Sequence, residues 1–199
     1  MPESIRTMFT RWGFNFFPAY RGTGGRITYI AGDWREVRIK VPLNWRTRNI
    51  VGTIYGGSMY GAVDPIYMVM LIKILGPDFI VWDKAALIRF KKPGTHTLYA
   101  QFVLTEEEIQ TISALVATEP SVERVYTVEL KDAAGVVHAE IEKTVYIRRK
   151  DAIGKVVVEA ATLDEDDLEG ILHRPGMKAV SVEDMEKVIA KRFKRKKLS

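Results

Sequence analysis

The chain contains no cysteine and only three histidines among its 199 residues. The lack of cysteine excludes disulfide scaffolds, thiolate nucleophiles, iron–sulfur clusters and thiolate zinc sites. His96, His138 and His173 lie far apart in the sequence and show no metal-ligand spacing, so we expect no metal centre. A hydrophobic share of 47% is too high for a disordered chain and indicates a folded protein with a sizeable core.

Signals for export and for membrane insertion are also lacking. The N-terminal segment has no continuous apolar run of signal-peptide length, so we expect a cytoplasmic protein. From Asn49 to Ile72 the only charge is Asp64, and such a span is long enough to cross a bilayer. Glycines and Pro65 interrupt it, however, and a carboxylate at the bilayer centre costs roughly 2.5–3.5 kcal/mol. We therefore expect a buried helix of a soluble protein and no membrane span.

Positive charge is concentrated towards the two ends of the chain. Residues 1–50 carry nine basic and three acidic side chains, and residues 191–197 form a basic tail. Basic tails often contact nucleic acids or membrane surfaces. No aromatic platform for single strands and no groove-reading helix accompanies this tail. We therefore interpret it as a solvated helix end and expect no nucleic-acid partner.

The apolar periodicity predicts an α+β fold. Ile5, Met8, Phe9 and Trp12 share one face of an amphipathic helix that starts after Ser4, and we expect this face to pack against another surface. Two strands follow between residues 26 and 42, and then a long helix from residue 56 to about 75 that is apolar nearly all round. Four further strands come next, with a helix over 106–117 between them. Such a pattern predicts an antiparallel sheet curled around one central helix.

Residues 1–150 are predicted to form this domain, and 151–199 a helical appendage that ends in the basic tail. Short helices are expected over 164–172 and 181–193. The appendage could bind a protein partner, stabilise a dimer or serve as a flexible tail.

The stretch from Asn49 to Asp64 (NIVGTIYGGSMYGAVD) has the residue types of an acyl-transfer site. Gly56 and Gly57 stand where a loop enters a helix, so their backbone N–H groups could polarise a carbonyl as an oxyanion hole. Asp64 could act as a general base or a nucleophile, with Asn49 orienting the water or the carbonyl. The glycines could instead permit close packing of helix and strand, and Asn49 and Tyr55 could have structural roles. Pro65 is expected to push Asp64 out of the helical region and to bend the helix there, which could expose the carboxylate. Asp64 could instead be a structural carboxylate that caps the second half of the broken helix.

This stretch resembles the hotdog-fold thioesterases, particularly the PaaI-like acyl-CoA thioesterases and an uncharacterised hotdog group with the pattern N-x-x-G-T-x-(Y/F)-G-G-S. The resemblance spans residues 13–149. In the PaaI-like pattern an Asn stands six residues before the His of a His-Gly-Gly turn, and a carboxylate follows that His by nine. Asn49, Tyr55 and Asp64 reproduce both spacings. Tyr55 replaces the usual His.

The resemblance implies a hotdog fold that hydrolyses acyl-CoA thioesters as a homodimer or a dimer of dimers. Coenzyme A is then part of the substrate, and no further cofactor is required. Gly56 and Asp64 lie about 12 Å apart along one helix axis, at about 1.5 Å per residue, so they would meet only across a twofold. Arg89, Lys91 and Lys92 could contact the phosphates of coenzyme A, or could be solvated charges at a strand end.

Tyr55 in place of His also favours a second hypothesis, a non-catalytic protein that binds acyl-CoA or regulates another. A hotdog dehydratase would need an Asp–His pair at a suitable spacing, which the sequence lacks. The acyl chain stays open, as does the choice between coenzyme A and carrier-protein thioesters. The apolar residues of the long helix could line a tunnel for the acyl chain or fill the core; they are Met59, Tyr60, Met68, Met70 and Leu71.

Overall fold

The computed structural model describes residues 1–152. Its elements are α1 (Ile5–Phe16), α2 (Pro18–Thr23), β1 (Arg26–Ile30), β2 (Glu36–Val41), α3 (Gly56–Val63), α4 (Ile66–Leu75), β3 (Phe79–Phe90), β4 (Leu98–Val103), α5 (Glu106–Thr118), β5 (Val122–Lys131), β6 (Val137–Arg149) and the 3-10 turn Lys150–Ala152. The appendage helices predicted over 164–172 and 181–193 lie outside the described residues.

The six strands form one sheet in the order β1-β2-β4-β5-β6-β3, and each neighbouring pair is antiparallel. The prediction of an α+β fold with about six antiparallel strands is confirmed. The longest pairing joins β3 to β6, from Phe79 opposite Arg149 to Phe90 opposite Ala139. Strands β1 and β3 are the two edges, because each pairs with only one neighbour in this sheet.

The predicted long helix is present as α3 and α4, and it supplies much of the core. Met59, Val63, Met70 and Leu71 are buried with the inward-facing residues of the sheet. By length and composition alone, the stretch Gly56–Leu75 could cross a membrane. Its burial against the sheet is that of a core helix, as the glycines and the proline in the sequence predict.

The helical stretch is interrupted at Asp64 and Pro65, but not as the sequence predicts. We expected Asp64 to leave the helical region, and this is wrong. Its φ of −44° and ψ of −54° are helical, and its N–H still donates to the carbonyl of Tyr60 at 2.9 Å. Pro65 takes up the distortion instead, since its ψ of −6° departs from the helical value of about −42°. The next helix then begins at Ile66.

The first helix begins where the sequence predicts. The Ser4 hydroxyl accepts a hydrogen bond from the N–H of Thr7, which caps the helix. The apolar face that we expected to be packed is exposed, however, and Ile5, Phe9 and Trp12 are each more than 60% accessible. This face makes no core contact with the described part of the chain.

Candidate functional site

The glycine turn forms the N-terminus of α3. Tyr55 is the N-cap residue, and its carbonyl accepts hydrogen bonds from the N–H groups of Ser58 and Met59 at 2.9 and 3.2 Å. The amides of Gly56 and Gly57 come before these first intrahelical bonds and have no acceptor among residues 1–152. Together with the positive end of the helix dipole, they form two donors suited to a developing negative charge.

Two aromatic rings lie close to this turn, so a side chain at either glycine would require a ring to move. A Cβ atom on Gly56 would lie 2.8 Å from Cζ of Phe90, and one on Gly57 would lie 2.3 Å from Cε1 of Tyr55. Both rings are more than half exposed. These contacts are in keeping with a packing role for the glycines, and they are compatible with the donor role because they leave the N–H groups open.

A cavity of about 400 Å³ opens beside the turn and collects four of the predicted site residues. It is lined by Asn49, Thr53, Ile54, Gly56, Met59, Phe90, Lys91, Lys92, Pro93 and Gly94. The other predicted residues, Tyr55, Gly57, Asp64 and Arg89, are outside this lining. One subunit thus places a helix N-terminus and two lysines around one cavity, without the predicted carboxylate.

The side chain of Asn49 holds the loop that precedes the glycine turn. Its Oδ1 accepts from the N–H groups of Val51 and Thr53 at 3.1 and 3.0 Å, and its Nδ2 donates to Oγ1 of Thr53 at 2.9 Å. With these bonds made, Asn49 shapes the cavity wall through the backbone of its own loop. This geometry favours the structural role that the sequence left open for it.

The three predicted coenzyme A contacts differ in their surroundings. Arg89 lies opposite Glu140 on the neighbouring strand, and its Nη1 is 3.3 Å from a carboxylate oxygen of that residue. Lys91 Nζ lies 3.9 Å from the other oxygen of Glu140. Exposed pairs of this kind contribute little to stability and leave the cations accessible to solvent. Lys91 and Lys92 line the cavity, so they are better placed than Arg89 to meet a phosphate there.

Asp64 belongs to a cluster of charges that the sequence did not reveal. Its Oδ1 accepts from the Tyr60 hydroxyl at 2.7 Å and from Lys143 Nζ at 2.5 Å. Lys143 Nζ also lies 3.2 Å from Oδ2 of Asp83. The side chain of Lys143 is only 1% exposed, whereas that of Asp64 is 40% exposed. The cluster therefore begins in the core and reaches solvent at the carboxylate of Asp64.

Charge balance within this cluster is set by competition between burial and pairing. Burial opposes the charged form of Lys143, but Asp64 and Asp83 outweigh it and raise the pKa of the ammonium. Burial raises the pKa of Asp83 more than Lys143 lowers it. Burial and the hydrogen bond to Asp64 both raise the pKa of Tyr60, so its hydroxyl stays protonated. Oδ1 of Asp83 is buried without a hydrogen-bond partner in the described part of the chain.

A signal for Lys143 was present in the sequence. Strand β6 buries alternate residues, from Ala139 through Ile141 to Val145 and Ile147, and Lys143 occupies the inward position between them. A lysine on the core face of a strand requires a carboxylate partner, because an unpaired buried charge is costly. Which carboxylate it meets depends on how the helix packs across the sheet, and the local pattern does not contain that information.

A larger cleft of about 920 Å³ lies on the sheet, among residues of β1, β2, β4 and β5. It contains none of the predicted site residues, and its lining includes exposed charges such as Arg38, Glu129 and Lys131. Within residues 1–152 no group of three His, Asp or Glu side chains is arranged to hold a metal ion.

Solved structures of other proteins show which fold this is. A Pseudomonas aeruginosa protein of unknown function, described as a probable thioesterase, matches with a TM-score of 0.64 at 20% identity over 75% of this chain and 98% of its own. A Chlorobaculum tepidum protein of unknown function matches with a TM-score of 0.60 at 16% identity, over 73% and 95% of the two chains. A Haemophilus influenzae thioesterase matches with a TM-score of 0.52 at 12% identity, over 69% and 87%.

The sheet, the central helix and these matches show that the protein has a hotdog fold, as the sequence resemblance predicts. Within that fold, residues 6–147 match the model of a domain of unknown function, DUF4442, and the chain belongs to this family. The search of curated proteins found no match.

Proposed function

We propose that this protein hydrolyses acyl-CoA thioesters at a site shared between two subunits. The observation that carries the proposal is the pair of open N–H donors at the N-terminus of α3, beside a cavity lined by Lys91 and Lys92. Amides of this kind stabilise the oxyanion of acyl transfer, and lysines suit the phosphates of coenzyme A. The thioesterase-type fold supports the same reaction class.

Asp64 is the carboxylate that we assign to the chemical step. Within residues 1–152, the hydrogen bonds from Tyr60 and Lys143 are both accepted by Oδ1, and we propose that Oδ2 holds a water molecule. As general base, Oδ2 takes a proton from that water while the water oxygen attacks the thioester carbonyl carbon. The carbonyl oxygen becomes an oxyanion held by the Gly56 and Gly57 amides. The C–S bond then breaks, the thiol leaves with the proton from Asp64, and the acid remains.

The geometry of one subunit requires a second subunit for this reaction. Gly56 and Asp64 occupy the two ends of α3, which places them about 12 Å apart along its axis. Two copies of the helix lying antiparallel across a twofold would bring the glycine turn of one copy near the carboxylate of the other. A homodimer, or a dimer of such dimers, is therefore part of the proposal. So is the cytoplasmic location that the sequence predicts.

The test is the release of free thiol from short, long and aryl acyl-CoA thioesters by the wild type and by Asp64→Asn. The chain has no cysteine, so the protein itself does not react with thiol reagents. We expect turnover by the wild type and a loss of about 100-fold or more in Asp64→Asn, the range of a removed general base. Asp78→Asn, an exposed carboxylate at the start of β3, is the matched control and should keep wild-type turnover.

The second candidate is an acyl-CoA-binding protein without turnover, favoured by Tyr55 where related thioesterases carry His. Under this alternative the folded dimer releases no thiol from any substrate, and Asp64→Asn retains the wild-type affinity for acyl-CoA in calorimetry. Turnover that survives in Asp64→Asn would show that Asp64 is a structural partner of Lys143 and would overturn its assignment as the base.

A further inference from the structure

Helix α1 presents a continuous apolar stripe to the outside of the domain. Ile5, Phe9, Trp12 and Phe16 recur every three or four residues, and their exposed fractions are 75%, 68%, 61% and 62%. The rings of Trp12 and Phe16 are in contact, with centroids 5.8 Å apart. Stripes of large apolar side chains are rarely left open to water, so this one is expected to have a partner.

The opposite face of the helix fixes this orientation. Asn15 makes two hydrogen bonds to the backbone of Ile27 in β1, donating to its carbonyl at 2.9 Å and accepting from its N–H at 2.8 Å. Arg11 forms a two-pronged ion pair with Glu3, and Thr7 is buried. The helix thus docks through Thr7, Asn15 and Phe14, whose ring meets that of Tyr20, and it turns the stripe outward. A helix that used its larger apolar face to support the core would have the opposite orientation.

The exposed charge beside the stripe is positive. Helix α1 contains no acidic residue, Glu3 before it is paired with Arg11, and Arg6 is exposed. Arg21 follows in α2, and residues 1–50 carry nine basic against three acidic side chains. A helix with Trp and Phe on one face and arginine at its flank is the type that lies in the interface of an anionic lipid membrane.

We propose that α1 docks the protein onto an anionic lipid surface, with Phe9, Trp12 and Phe16 in the headgroup region and Arg6 near the lipid phosphates. Charge complementarity favours this occupant over a second copy of the chain, which would bring two surfaces of the same positive sign together. A pairing of subunits through β3 would also leave the stripe open, because α1 packs beside β1 at the other edge of the sheet.

The test measures co-sedimentation of the full chain with vesicles of phosphatidylcholine alone and of equal parts phosphatidylcholine and phosphatidylglycerol. We expect the wild type to sediment with the anionic vesicles at least about 10-fold more tightly than with the neutral ones. Added salt should weaken this binding. Phe9→Ser/Trp12→Ser should abolish it. Trp45→Ser removes an 85% exposed tryptophan outside α1 and should bind as the wild type does.

A charge variant tests the proposal without changing the apolar side chains. Arg6→Glu leaves the stripe intact. It should lower binding to the anionic vesicles and leave binding to the neutral vesicles unchanged. Failure of the wild type to bind anionic vesicles, or equal binding by Phe9→Ser/Trp12→Ser, would overturn the proposal. If that double variant instead lowers the oligomeric state in analytical ultracentrifugation without vesicles, the stripe is a protein contact and the proposal is wrong. Thioester hydrolysis enters none of these readouts.

Discussion

At the scale of single residues, the least expected feature is a lysine inside the sheet. Lys143 is 1% exposed, and its ammonium lies between the carboxylates of Asp64 and Asp83. Removing one member of a buried ion pair leaves the remaining charge without a partner, which is more destabilising than removing both members. The stability of the core around β3 and β6 therefore depends on this cation.

Lys143→Met is expected to lower the free energy of unfolding by about 3 kcal/mol, because Asp83 stays buried without its cation. Guanidinium denaturation at neutral pH measures the change. The double variant Lys143→Met/Asp83→Leu should recover much of the loss. Lys84→Met removes an exposed lysine that pairs with Glu123 on the surface, and it should cost less than about 1 kcal/mol. A loss in Lys143→Met no larger than in Lys84→Met would contradict this account.

The residues of the site divide according to how far their partners lie in the sequence. Three of the site residues, Gly56, Gly57 and Asn49, act within their own loop and the first turn of α3. Their positions could be predicted from the sequence, because glycine and loop patterns are local. The contacts of Asp64 are different. Its partner Lys143 is 79 positions away, and it is brought close only when α3 packs on the sheet. Sequence spacing therefore indicated the carboxylate but not the charges that surround it.

At the scale of elements, the strands and the long helices could be predicted from the periodicity of apolar residues, and the short helix could not. All six strands and α1, α3, α4 and α5 occur in the predicted order along the chain, although β3 and β5 begin earlier than their apolar alternation indicates. Helix α2, Pro18–Thr23, is too short for a helical period to be recognised, and only its proline at the first position marks it. The outward face of α1 was also mispredicted, because an amphipathic pattern shows which residues share a face but not what that face meets.

Helix α5 is tied to the sheet by a cluster of three polar side chains. Both carboxylate oxygens of Glu108 accept from Arg124, at 2.9 and 2.6 Å, and one also accepts from the Tyr126 hydroxyl at 2.8 Å. The hydrogen bonds from Arg124 are the main cause that holds the pKa of Glu108 below its usual value, against the opposing effect of burial. Protonation of Glu108 would therefore loosen the attachment of α5 to β5.

This cluster predicts the acid dependence of stability. A lowered pKa in the folded state means that the contribution of Glu108 is present above its unfolded value of 4.5 and is lost as the pH falls through the folded value. Glu108→Gln should therefore flatten the fall in unfolding free energy below pH 4.5, as measured by urea titrations across that range. Glu107→Gln, one residue away and exposed, should follow the wild-type curve. Identical curves for wild type and Glu108→Gln would show that the cluster does not stabilise the helix.

At the scale of the whole molecule, the two edges of the sheet are unequal. Strand β1 has five residues and a register shift, and α1 packs beside it. Strand β3 has twelve residues, and the segment 84–87 (KAAL) is exposed along it, after a register shift between Asp83 and Ala85. Short, irregular or covered edges resist pairing, whereas long apolar edges invite it. The same strand leads into Phe90 and Lys91 at the cavity, so a partner docked on β3 would lie next to the proposed site.

We therefore expect a homodimer that forms through β3, and sedimentation velocity tests it. Leu87→Asp places like charges close together across the twofold and should give a folded monomer that has lost thioester hydrolysis, because Gly56 and Asp64 of one chain cannot reach the same carbonyl. Val125→Asp introduces the same change at a 59% exposed position on β5, away from the sheet edge, and should stay dimeric and active. A monomeric wild type that hydrolyses thioesters, or a Leu87→Asp monomer with full turnover, would show that one subunit suffices. In that case the water would have to be activated within one chain, beside the cavity of Gly56 and Lys91 rather than at Asp64 of a partner.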